Sequence, residues 1–198
     1  MAGGALPHSV DLIARLEAEQ RKLILTRFDH DDAWRLGLLL VGLARARGAA
    51  VTIDIRHGRQ QLFHYALPGT SADNDAWIRR KSRIVTRFGA SSYLVGLRHR
   101  LAGRTSADET GLNPRRYAAY GGSFPLTIAG VGVVGTVTVS GLPQADDHRL
   151  VVEALQDFVA DQHDGSRSLP KEATSGRAGD EGSQPRERGE QFGSSRVR

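Results

Sequence analysis

The sequence predicts an α/β fold with a mainly antiparallel sheet of about five strands. Three observations carry that expectation. The run from Tyr117 to Ala145 holds no charged residue, although a quarter of the chain is charged, and chance would produce such a run with a probability below ~0.001. Inside it, Val131, Val133, Val137 and Val139 alternate with Gly132, Val134, Thr136, Thr138 and Ser140, the period of a strand with one apolar face and one small, hydroxylated face. Finally, two hairpin-like segments, 51–67 and 124–140, are separated and flanked by stretches with helical spacing.

Val10 to Arg21 carries Leu12, Ile13 and Leu16 at helical spacing behind Ser9, an expected N-cap. Leu23 to Phe28 reads as a strand. Asp29-His30-Asp31-Asp32 opens the next helix, the acids suiting the positive end of its dipole, and Gly48 stops it. N-capping explains these acids better than metal ligation does. Between them Trp34, Leu36, Leu38, Leu39, Leu40, Val41 and Leu43 surround most of the helix, so most of it should be buried.

Val51 to Arg56 and Gln60 to Leu67 form the first hairpin. The faces Val51/Ile53/Ile55 and Phe63/Tyr65/Leu67 coincide only across a loop of odd length, such as His57-Gly58-Arg59. That register sets Thr52 across from His64, with Asp54 as its diagonal neighbour. After a loop at 68–72, Asp73-Asn74-Asp75 is expected to cap a helix from Ala76 to Phe88. Trp77, Ile84 and Phe88 make its apolar stripe, and Arg79, Arg80, Arg83 and Arg87 its basic face. Lys81 lies on the apolar side, where a lysine either snorkels or pairs with a carboxylate.

Ser91 to Leu101 continues as helix, Arg104 to Gly111 as a polar loop, and Asn113-Pro114 starts a short helix to Tyr120. Phe124 to Ala129 and Val131 to Ser140 make the second hairpin around Gly130. The final helix shows Leu150, Val151, Ala154, Leu155, Phe158 and Val159 on one face, with Asp146 and Asp147 in its first turn. A single domain over 1–163 follows, and the Gly/Ser/Arg/Glu-rich segment 164–198 is expected to be a disordered tail.

Composition excludes several chemistries. With no cysteine there is no thiolate catalysis, zinc ribbon or Fe–S cluster. A net charge of +5 does not point to nucleic acid, because the basic residues are scattered among acids and include only three lysines, Lys22, Lys81 and Lys171. No apolar run in the first half is long enough to span a bilayer and the first twenty residues lack a signal-peptide pattern, so a cytoplasmic protein without membrane contact is expected. Gly130-Val131-Gly132-Val133-Val134-Gly135 spells G-x-G-x-x-G, but a β-branched run follows it where a dinucleotide fingerprint needs a helix.

GGSFPL at 121–126, GVGVVGTVTVSGLP at 130–143, the helix opening Asp146-Asp147-His148 and the segment TIDIRHGRQQLFHYALPGTSADNDAWIRRK at 52–81 together resemble the haem-degrading and GlcG-like superfamily, in its uncharacterised cytoplasmic branch. The resemblance runs from about Leu12 to Val159. It implies a profilin-like three-layer α/β/α sandwich that assembles into homo-oligomers and binds a small molecule, haem or another planar or anionic ligand, and it implies no assigned reaction. The candidate ligand-binding residues are Asp54, His64, Trp77, Arg80, Lys81, Ser123 and Phe124. No histidine is singled out as an axial haem ligand. Two other readings stand beside this one: an oligomeric scaffold without a ligand, and an enzyme acting through Asp54, His64 and Lys81. Because the Thr/Gly/Ser face of 131–140 lacks charge, it is expected to lie at or next to the subunit contact.

Overall fold

The computed structural model describes residues 5–103 and 112–164. Its elements in chain order are α1 (Ala5–Lys22), β1 (Ile24–Leu25), α2 (His30–Ala46), β2 (Thr52–His57), β3 (Gln60–Ala66), α3 (Ala72–Phe88), α4 (Ser92–Leu101), β4 (Ser123–Ile128), β5 (Gly132–Ser140) and α5 (Gln144–His163). The five strands form one sheet in the order β1-β4-β5-β2-β3, antiparallel except where β1 runs parallel to β4. Helices α2 and α5 pack on one face and α3 on the other, with α4 against α3 and α1 against α4. This is the expected three-layer sandwich. None of the helices described is long and apolar enough to cross a membrane.

The main core lies between the sheet and α2/α5, where Ile53, Ile55, Val137, Val139, Phe124 and Leu126 meet Leu36, Leu40, Leu150, Leu155 and Phe158. Gly37 allows α2 to lie directly against the Phe63 ring, into which any Cβ would intrude. A second cluster, built on Leu16, Ile84, Leu94 and Val95, joins α1, α3 and α4.

Several local expectations are corrected. Helix α1 starts at Ala5, so Ser9 sits inside it and is not its N-cap. The α3 cap is Ser71, in a capping box with Asn74. Asn113-Pro114 gives a single turn and no helix; Tyr117 N donates to Asn113 O at 3.0 Å and the chain then extends. The strand expected at 23–28 forms a ladder only at Ile24–Leu25. The polar loop expected at 104–111 and all but the first residue of the tail expected at 164–198 fall outside the described residues.

Both hairpins carry an irregularity. In β2/β3 the turn is Gly58-Arg59, with Gly58 at φ 55°, and the extra residue needed to bring the apolar faces together is Leu62, passed over between the Arg56↔Gln61 and Ile55↔Phe63 pairs. The odd residue therefore sits in the strand and not in the loop, and Asp54 lies directly opposite His64. In β4/β5 the register slips between Leu126 and Thr127, passing over Val134. The alternation inverts there: Val134 packs on the core, while Val131 and Val133 are 70% and 45% exposed. Gly130–Gly135 is thus a hairpin turn and strand start.

The hydroxylated face is the largest correction. Thr52, Ser123, Thr136, Thr138 and Ser140 are buried within the single chain, because α3 packs across β5, β4 and β2. This face is closed by the protein's own helix and needs no second copy to cover it.

Candidate functional site

Helix α3 places Lys81 over the C-terminal end of the central strand β5, on the buried half of this amphipathic helix. A lysine at this point of the stripe must find partners or reach solvent. It does not snorkel: the residue is 2% exposed, and its Nζ donates to Gly121 O at 3.0 Å, Val139 O at 2.7 Å and Asp147 Oδ2 at 3.0 Å. All three ammonium protons are consumed. Asp147 is equally closed, its Oδ1 accepting from Leu142 N at 2.9 Å. Loss of water pulls the Lys81 ammonium below its ordinary range and pushes the Asp147 carboxyl above its own, with their mutual attraction opposing both changes. Gly122, at φ 114°, leaves the room this requires, since an added Cβ would stand 2.7 Å from Lys81 Nζ.

Above this floor opens a cleft of about 270 Å³ between the first turns of α3 and α5 and the segments Tyr120–Gly121 and Ser140–Leu142. Trp77 and Tyr120 form its aromatic corner, their rings 5.5 Å apart and almost perpendicular at 87°. Trp77 is held by its Nε1, which donates to Asp73 Oδ2 at 3.1 Å, and its ring carries the Arg80 guanidinium at 3.9 Å. Gln144 borders the cleft, and its Oε1 is buried in the wall with no hydrogen-bond partner among the described residues. The cleft therefore offers a flat apolar wall, carboxylate and amide acceptors, and a guanidinium at its rim.

Of the seven residues proposed from sequence, Trp77 and Lys81 line the cleft and Arg80 borders it. Asp54 is buried on the same side of the sheet but is taken by Arg56 (Nε to Oδ1, 2.8 Å) and Gln61. His64, although cross-strand from Asp54, bonds through Nε2 to Asp75 Oδ1 at 2.8 Å. Asp54, His64 and Lys81 thus each engage a different partner and do not form one constellation. Ser123 is fully buried with its Oγ 2.8 Å from Thr138 Oγ1, and Phe124 packs in the core against His148; neither lines the cleft. Sequence reasoning passed over Tyr120, Gln144, Asp73 and Asp147. Asp147 had a visible signal, an acid in a first helical turn, which capping and dipole arguments absorbed.

Among the described residues no group of three or more metal-ligating side chains occurs. The fit to haem is poor within one chain. The cleft falls below the roughly 300–1,000 Å³ usual for drug-sized ligands, and haem is larger than most of those. No histidine lines it or the cavities of about 600, 500 and 460 Å³ elsewhere, and of the usual haem axial side chains the cleft presents Tyr120 alone.

Residues 28–156 match the family described as haem degrading protein HbpS-like, and the chain belongs to that family. It is similar to a UPF0303 protein of Streptomyces coelicolor, 61% identical over 149 residues that make up 75% of this chain and 94% of the relative. Among solved structures it resembles the Ybr137w protein, at TM-score 0.70 and 29% identity over 75% of this chain and 89% of the other. It also resembles a PduOC:heme complex, at TM-score 0.54 and 16% identity over 65% and 93%. At that identity the second likeness concerns the fold alone.

Proposed function

We propose that this protein is a small-molecule-binding module of the HbpS-like family that works in the cytoplasm as a homo-oligomer, with the cleft over Lys81 and Asp147 as its ligand site. The observation that carries the reading is the combination of a rigid, fully bonded Lys81–Asp147 floor with an aromatic corner and an unpartnered buried acceptor, Gln144 Oε1. Buried polar atoms are almost always paired, so an orphan acceptor in the wall of a cleft is a group that a turn of the Gln144 side chain would offer to a ligand donor. A structural neighbour solved with haem supports ligand binding as a theme of the fold. Ligand-observed NMR with a mixed fragment library should give hits that disappear in Trp77→Ala while the circular dichroism is retained. An unchanged hit list in that variant refutes the site.

A second observation favours self-association. With the hydroxylated face covered by α3, the exposed large apolar side chains outside the cleft, among the described residues, are Val10 on α1, Trp34 on α2, and Val131 and Val133 at the β4–β5 tip, where Val133 shares a cavity wall with the exposed Phe88. We place the subunit contact at that tip. Light scattering of the native protein at micromolar concentration should report more than one copy; a monomer overturns this part.

A further inference from the structure

We propose that the ligand of this cleft is a nucleoside monophosphate, its base held against Trp77 and its phosphate on the arginines of α3. This rests on the cleft being the ligand site and names the class it takes.

Electrostatics divides the site in two. Inside the cleft no cation is free, because the three Lys81 protons go to Gly121 O, Val139 O and Asp147. What remains for a ligand are acceptors: the Asp73 oxygen not used by Trp77 Nε1, and Gln144 Oε1, unpartnered among the described residues and reached once its side chain turns toward the cleft. A bare anion is poorly served there. A planar ring bearing an amino group is well served, stacking in the Trp77–Tyr120 corner and donating to Gln144.

Immediately outside, the sign reverses. Arg80 rests on the Trp77 ring, and Arg79, Arg83 and Arg87 continue along α3 at helical spacing. The 113–120 segment runs beside the helix, Arg83 Nη1 donating to Arg116 O at 3.2 Å and Ala118 N to Arg80 O at 3.1 Å, which adds Arg115 and Arg116 to the same face. Among the described residues none of these six guanidinium groups has an ion-pair partner, whereas Arg27, Arg35, Arg47, Arg56, Arg98 and Arg149 are paired; Arg15, Arg21, Arg45, Arg59 and Arg100 also lack one but are spread over α1, α2, the β2–β3 turn and α4. Arg79, Arg80 and Arg83 stand within about two helical turns of Trp77, at the cleft mouth, where arginine forks suit a phosphate, while Arg87 lies farther along the helix on the Phe88 ring. One ligand satisfies both halves if it joins an amino-bearing flat ring to a phosphate. The cleft's volume of about 270 Å³ suits one such unit and not a strand.

The test uses the full chain, 15N-labelled, and follows the Trp77 indole N–H, identified by its loss in Trp77→Phe. Four probes are titrated: 5′-AMP, adenosine, inorganic phosphate and the trinucleotide ApApA. AMP should shift the signal saturably and bind at least about tenfold tighter than adenosine or phosphate, since charge-assisted contacts to phosphate exceed that factor. Arg80→Gln with Arg83→Gln should bring the ratio of AMP to adenosine affinity down to about one. Equal affinities for AMP and adenosine, or for AMP and phosphate, overturn the proposal. So does ApApA binding more than about tenfold tighter than AMP, which points to a strand. If none of the four moves the signal while fragment hits at Trp77 persist, the class falls and the cleft stands; if the fragments fail too, the site itself falls.

Discussion

Replacing Lys81 by methionine keeps an unbranched apolar stem and removes the terminal ammonium group with its charge and donors. Three acceptors then lose a partner at once: the carbonyls of Gly121 and Val139 and the Oδ2 of Asp147. Asp147 is 2% exposed, so without Lys81 its carboxyl either stays charged with no counter-ion or takes up a proton, and both cost stability. Breaking a buried ion pair on one side costs about 3–5 kcal/mol, which for a domain of this size lowers the melting temperature by roughly 6 to 20 °C. Urea denaturation followed by circular dichroism measures it directly. The partner replacement separates causes: Lys81→Met with Asp147→Leu removes both charges, and because a buried pair is often matched by apolar residues, the double variant should recover more than half of the loss. A single-variant loss below about 1 kcal/mol at an unchanged m-value, or a double variant as weak as the single, refutes the view that this pair holds α3, β5 and α5 together.

The same pair gives a pH signature. Burial holds the Lys81 pKa below its ordinary 10.5, so the unfolded chain binds more protons between that lowered value and 10.5. Its contribution is full above 10.5 and lost as pH falls through the lowered value; the stability of the native protein relative to Lys81→Met should therefore grow as pH rises toward 10.5, and a gap independent of pH counts against it. Gly121→Ala should destabilise by about 1–3 kcal/mol and alter fragment binding, because its Cβ would overlap the Gln144 carbonyl; unchanged melting and binding refute that close approach. Val133→Arg should reduce the oligomer in light scattering with little loss of stability, whereas Thr136→Arg, buried under α3, should unfold the chain; assembly unaffected by Val133→Arg moves the contact elsewhere.

Periodicity and punctuation in the sequence were enough for the layers. The alternation of Val137 and Val139 with Thr136, Thr138 and Ser140, the apolar face of α5 and the acids opening α2 are local signals, and each survives because burial of one face rewards the same residues that set the period. The GGSFPL and GVGVVGTVTVSGLP segments carried the family in the same way. What sequence could not settle was which of two compatible partners a group takes. Parity demanded one extra residue in the β2–β3 hairpin, but a two-residue turn with a strand irregularity satisfies it as well as a three-residue loop, and only the packing of Phe63 on Gly37 and its neighbours selects between them. The uncharged face of β5 required a cover, yet composition does not distinguish a second subunit from α3. Lys81 and Asp147 stand 66 residues apart, and nothing local links them. Their pairing arises when α3 and α5 close on the Gly121–Gly122 backbone from different sides, and with it comes the cleft, because a buried charge takes whichever opposite charge the fold brings within reach.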